Sequence, residues 1–152
     1  MIDRFWKLLV TLAGALSLAV VVGAAPAYAG EAGKTCVTYY HLNDPALGGY
    51  TVCVKLEHDP TTHAWRTNAS VTTTTPGMTL HTALVDLIAE NNVVATGSKP
   101  PAASQQLGIV TSWWVCSGAH QLSGTERGFV TWPDGTDSAI ITTETPLVTG
   151  TC

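Results

Sequence analysis

From Thr51 to Glu57 apolar and polar residues alternate: Val52, Val54 and Leu56 on one side, Thr51, Cys53, Lys55 and Glu57 on the other. Successive side chains of an extended chain point to opposite faces. This period of two therefore predicts a strand with its valines and leucine on a core and Cys53 outside, among charges. Comparable segments rich in Val, Thr and aromatics recur along the chain. Turn residues separate them: Asn43-Asp44-Pro45, Asp59-Pro60, Pro76-Gly77, Asn91-Asn92, Pro100-Pro101, Ser123-Gly124 and Pro133-Asp134-Gly135. Gly, Pro, Asn and Asp each favour turn backbones for a steric or hydrogen-bonding reason of their own. The pattern predicts strands at 35–41, 50–58, 64–75, 79–89, 93–96, 107–117, 125–132 and 138–143. Segment 79–89 carries a second signal, because Leu80, Leu84, Leu87 and Ile88 also fit a helical stripe. Its Thr and Val content, and the Asn91-Asn92 step ahead of "VVATG", favour a strand that enters a hairpin. Short strands between regular turns, without internal repeat or linker, specify an all-β fold. The expected architecture is an immunoglobulin-like antiparallel β-sandwich of about 7–8 strands.

Residues 1–29 follow another pattern. Arg4 and Lys7 precede a weakly polar-to-apolar run over 8–22, and Ala27-Tyr28-Ala29 forms a small-x-small cleavage site. These are the three parts of a secretory signal peptide. Gly23, Pro26 and the Ala-Tyr-Ala step interrupt the run before the ~20 apolar residues that a spanning helix needs. Cleavage before Gly30 leaves 30–152 as a single β-sandwich domain, exported and without a membrane span.

Charge narrows the partners. The chain holds 7 Lys and Arg against 11 Asp and Glu. Without Arg4, Lys7 and Asp3, five basic residues (Lys34, Lys55, Arg66, Lys99, Arg127) face ten acidic ones, a net −5 with histidines neutral. No run of Lys or Arg exists, so nucleic acid is not an expected partner. All four cysteines lie in the mature part, an even count that reads as two disulfides in an exported protein. Their spacings, 17, 63 and 36 residues, include no Cys-x-x-Cys pair of the kind zinc sites use. Cys36 and Cys53 stand symmetrically about the loop "HLNDPALGG", with Tyr40 opposite Gly49 in the same register. Opposed residues of an antiparallel pair come within disulfide reach. The pairing is therefore Cys36–Cys53 and Cys116–Cys152.

Candidate chemistry is sparse. Trp113 and Trp114 are adjacent, so strand alternation puts them on opposite faces. On an unbroken strand Trp113 goes with Ile109, Thr111 and Val115, and Trp114 with Val110, Ser112 and Cys116. If Trp114 packs on the Cys116 disulfide, as tryptophans do in immunoglobulin-type domains, Trp113 is the exposed ring and the candidate ligand contact. Such a ring stacks a sugar or anchors a protein partner. His58, Asp59 and His63 gather around "HDPTTH" but lack a third ligand spacing, and "DGTD" at 134–137 lacks the downstream Glu of a calcium loop. No metal and no cofactor are expected. Ser117, His120 and Ser123 are neighbours in "CSGAHQLSG", which is not a nucleophile elbow. No Gly-rich phosphate loop occurs.

The Ala-Tyr-Ala signal end, "ALVDLIAENNVVATGS", "SWWVCSGAH", "FVTWPDGT" and the terminal "TPLVTGTC" resemble small secreted, disulfide-containing β-sandwich proteins of actinomycetes. The resemblance covers most of the mature chain. It implies a secreted scaffold and carries over no catalytic or binding residue. Streptomyces-type subtilisin inhibitors and enediyne apoproteins share its size and two disulfides. The chain lacks the Cys-Pro beside the inhibitors' reactive bond and the short disulfide spacings of the apoproteins. The reading reached is a secreted, monomeric, non-catalytic binding or interaction module for a protein or glycan. A proteinaceous protease inhibitor is the alternative, and a small secreted hydrolase the third. A flat aromatic patch favours the first, a rigid exposed Pro-containing loop the second, and a cleft with His and Ser in hydrogen-bond contact the third.

Overall fold

The computed structural model describes residues 31–152, and the expected signal peptide lies outside them. The chain is all-β: two antiparallel sheets packed face to face, the two-layer architecture shared by immunoglobulin-like domains. Its strands are β1 (Glu31–Tyr40), β2 (Gly49–Asp59), β3 (Ala64–Thr73), β4 (Thr79–Ala89), β5 (Asn92–Gly97), β6 (Gln106–Val110), β7 (Trp114–Val115), β8 (Ala119–Thr131), β9 (Ile141–Glu144) and β10 (Val148–Thr151). The first sheet runs β1-β2-β3-β6, with β7 also on β3. The second runs β10-β8-β4-β5, with β9 also on β8. Among the described residues no helix is long and apolar enough to cross a membrane.

Alternation builds the first sheet as expected. Val52, Val54 and Leu56 are buried, and Cys36 stands opposite Cys53 on the outer face with Cα atoms 4.1 Å apart. The two disulfides are Cys36–Cys53 and Cys116–Cys152. They do different things. The first crosses one hairpin. The second joins the residue after β7, in the first sheet, to the residue after β10, in the second.

Segment 79–89 is a strand, and a bulge explains its helical look. Thr82 stands opposite Gly128 while Leu84 stands opposite Arg127, so two residues of β4 answer one of β8. An extra residue shifts the side-chain phase. The inward positions therefore pass from Leu80 to Val85, Leu87 and Ala89. The following turn falls one residue before the Asn91-Asn92 step: Glu90 and Asn91 both take positive φ (50° and 63°), as a two-residue type I′ turn requires.

The expected strand at 107–117 is broken. Asn68 opposes Val110, yet Trp65 opposes Trp114, so three steps along β3 answer four along its partner. Thr111 occupies the break. Its hydroxyl accepts from the Thr67 amide (3.1 Å) and donates to the Ser112 carbonyl (3.0 Å). The break corrects the grouping of faces. Ile109 and Thr111 are buried, and Trp114, not Trp113, turns inward with them.

β8 begins at Ala119 and β10 adds Val148–Thr151, both beyond the expected strands. Ser123-Gly124 reads as a turn but lies mid-strand. A Cβ on Gly124 would come within 2.6 Å of Thr67 Cγ2, so glycine lets the two sheets close there. Thr67 is fully buried, and its hydroxyl has no hydrogen-bond partner among the described residues. Leaving a buried hydroxyl unsatisfied costs about 1–3 kcal/mol. Thr67→Val, which replaces that oxygen by a methyl, is expected to raise the unfolding free energy by about 1–2 kcal/mol. Urea denaturation checks it, and a lower midpoint would show that the added methyl overfills the gap left by Gly124.

Candidate functional site

β2 and β3 form the middle of the first sheet, and their outward residues meet in register. Glu57 opposes Arg66, and Lys55 opposes Asn68. Three of these side chains converge on the Glu57 carboxylate. Lys55 Nζ lies 2.8 Å from Glu57 Oε1, Asn68 Nδ2 donates to the same oxygen (3.0 Å), and Arg66 Nε donates to Oε2 (2.6 Å). Burial pushes the Glu57 carboxyl upward. The donors Lys55, Arg66 and Asn68 outweigh it and hold the group below the usual carboxylate range.

Trp113 closes this array. The irregular step at 111–113 turns its ring outward, and the Arg66 guanidinium stacks over it, Cζ 4.3 Å from the ring centroid. That is cation–π distance. Trp113 is 43% exposed, and Val110 and Val115 are exposed near it. Unbroken alternation would set Trp113 inward with the buried Ile109 and Thr111; the break delivers it to the outer face, where the analogy with tryptophans packed on a disulfide places it. Lys34 opposes Lys55 in the register of β1 and β2, so three of the five cations of 30–152 share this sheet face. On the second sheet Arg127 is tied to the buried Asp86 at 3.2 Å.

Trp114 faces the other way. It is half-buried, packs against the cluster of Leu56, Trp65, Leu87, Ala89 and Leu122, as do Cys116, Cys152 and Val148, and sets its ring edge against His120 at 5.3 Å. Arg66, Glu57, Lys55 and Asn68 escape a reading by motif. The signal was present, because counting outward from the turn "PTTH" at 60–63 pairs 57 with 66, by the same kind of symmetry that pairs 36 with 53.

The other constellations are not assembled as sites. His58 stacks on Trp65 (4.4 Å), whereas Asp59 caps its own turn by accepting from the Thr61 amide and the Thr62 hydroxyl. Asp134 caps Thr136, and Asp137 accepts from Thr131, so the "DGTD" carboxylates serve a hairpin turn. His120 Nε2 bonds the Ser117 backbone carbonyl (3.0 Å), not a serine hydroxyl. His81 Nε2 lies 3.0 Å from Thr131 Oγ1, but that hydroxyl gives its one proton to Asp137 (2.7 Å) and accepts from the histidine. No nucleophile is activated there. Among the described residues no group of three or more His, Cys, Asp or Glu is placed to hold a metal.

No protein-family model, curated protein or solved structure matches the chain. Fold and geometry define it as an antiparallel β-sandwich with two disulfides and a sheet face on which Trp113, Arg66 and Glu57 form one array.

Proposed function

We propose that the protein is an exported, non-catalytic binding module of the small secreted β-sandwich kind. It acts as a monomer through the face around Trp113 on a protein or glycan surface that presents carboxylates. The observation that carries this reading is the Trp113–Arg66–Glu57 array. An exposed indole is held by a guanidinium that is itself fixed by a carboxylate. Side chains locked before contact lose little entropy on binding. Tryptophan and arginine are also the residues that dominate interface energies. Lys34 and Lys55 add positive charge beside it, which suits an anionic partner. The two disulfides are in keeping with an oxidising, extracellular setting.

The inhibitor reading has less support. The Pro-containing loop at 98–105 is pinned at Ala102, which exchanges two backbone hydrogen bonds of 3.0 Å with Leu80. Its Lys99 ammonium, however, turns back to the Gly108 carbonyl (2.8 Å) instead of projecting toward a protease.

The test is Trp113→Ala. The expected result is at least a tenfold loss of capture of acidic glycans or of a partner protein, the scale of an interface hot spot. Unfolding free energy should fall by less than about 1 kcal/mol, because the ring is partly exposed. A glycan array, a pull-down and thermal melts read both quantities. Unchanged capture by Trp113→Ala would remove the reading.

A further inference from the structure

The outer face of the second sheet, away from Trp113, carries a different constellation. Ile88 of β4, Glu90 and Asn91 of the following turn, Gln121 and Ser123 of β8, Glu144 of β9 and Leu147 line a shallow pocket of ≈ 190 Å³. Its rim is built. Glu90 takes a positive φ, uncommon for a glutamate, and is bonded to β8 at both ends. Its amide donates to the Gln121 carbonyl (3.0 Å), and its Oε1 accepts from the Gln121 amide (2.7 Å). One carboxylate is thereby fixed at the pocket, with Glu144 across it as a second.

Ser123 supplies an independent sign. Leu122 and Gly124 point into the core, so alternation turns Ser123 outward beneath the pocket. The residue is only 4% exposed, and what remains of its surface lines the pocket. A hydroxyl open to the pocket beside two carboxylates is a donor and acceptor available to a third group.

We propose that this pocket binds a primary alkylammonium group, the chemistry shared by a lysine side chain of a partner and a free polyamine. An ammonium has three donors and no acceptor, which matches two carboxylates and a hydroxyl. Ile88 and Leu147 offer apolar surface to the alkyl chain. No Lys or Arg lines the pocket, although His120 Nδ1 lies 4.0 Å from Glu90 Oε1. The volume also fits. It is below the ~300 Å³ at which pockets for drug-sized ligands begin and above the ~150 Å³ that admits a benzene ring. A bare divalent ion would ask for six to eight oxygens instead, roughly the calcium shell.

Amide-resolved NMR titration of the purified protein with n-butylammonium tests the proposal. The expected result is saturable shifts at Glu90, Asn91, Gln121 and Ser123 with a millimolar Kd. n-Butanol should bind at least about tenfold more weakly, as should Glu144→Gln toward n-butylammonium, one charge-assisted contact being lost. The melting temperature of Glu144→Gln should stay at the parent value, and Ser123→Ala should weaken binding by a smaller factor. Nα-acetyl-lysine amide and spermidine form separate arms. Tighter binding of the first assigns the site to a lysine of a partner, and tighter binding of the second to a free polyamine. Absence of saturable shifts overturns the proposal. So does n-butanol matching the amine, or Glu144→Gln binding like the parent. Calcium moving the same amides while n-butylammonium moves none overturns it as well.

Discussion

Trp65→Ala should cost about 3–5 kcal/mol, the range for deleting a large buried ring, and more than twice the loss from Trp114→Ala. Trp65 is 4% exposed and lies on the inner face of β3 with Leu56, Leu87 and Leu122. His58 stacks on it, and β10 approaches so closely that a Cβ on Gly150 would sit 2.7 Å from its Cζ2. Removing the indole therefore opens a cavity between both sheets. The surrounding strands cannot collapse into it, because their positions are fixed by ladders on either side. Trp114 is half-buried on a two-residue strand, so its loss removes contact area at a rim. Trp113→Ala should cost least of the three. Urea melts of the three variants give the order directly. A Trp114 variant as damaged as the Trp65 variant would mean that the rim around β7 is as tightly packed as the core. A total stability of about 5–15 kcal/mol makes differences of this size easy to resolve.

What the sequence revealed of this fold depended on where the side-chain period stayed intact. β2 alternates without interruption, and from it the core face, the outer position of Cys53 and the Cys36 pairing all follow. The period fails at bulges, which leave no residue signature of their own. At Ala83 the extra residue lets Leu80 and Val85 both face inward. At 111–113 it returns Trp114 to the face that Ile109 and Thr111 already occupy. A period-two reading cannot cross such a point without changing phase. The turn signals failed in the opposite sense at Ser123-Gly124, where a small residue answers Thr67 on the facing sheet, a demand set 57 residues away. Half of the candidate site was legible for the same reasons. Trp113 announces itself by type. Arg66 reaches it only because a hairpin and a bulge happen to align residues 47 apart.

Replacing Cys116 and Cys152 together by serine is expected to cost about 4 kcal/mol, against about 3 for the Cys36 and Cys53 pair, because the closed loops span 36 and 17 residues. Chain entropy gives only that modest difference. Placement should widen it. Cys36 and Cys53 join strands already paired at nine positions from Glu31 to Tyr40, so their bond constrains neighbours that the ladder holds anyway. Cys116 and Cys152 join a strand of the first sheet to a strand of the second. β10 has only four register pairs, all with β8, and ends on one backbone bond from the Cys152 amide to the Gly118 carbonyl (2.9 Å). Without the covalent tie, β10 and β7 are two short strands at one end of the sandwich, resting through Trp114, Val148 and Gly150 on the Trp65 cluster. Local opening should then appear before global unfolding. Hydrogen exchange should show protection lost at 148–151 and at 119–122 in the Cys116→Ser, Cys152→Ser protein. In the Cys36→Ser, Cys53→Ser protein those amides should stay protected. Denaturant melts of the two double variants measure the overall costs. Equal costs, with β10 still protected in both, would mean that burial around Trp65 holds that end and that the disulfide between the sheets merely follows it.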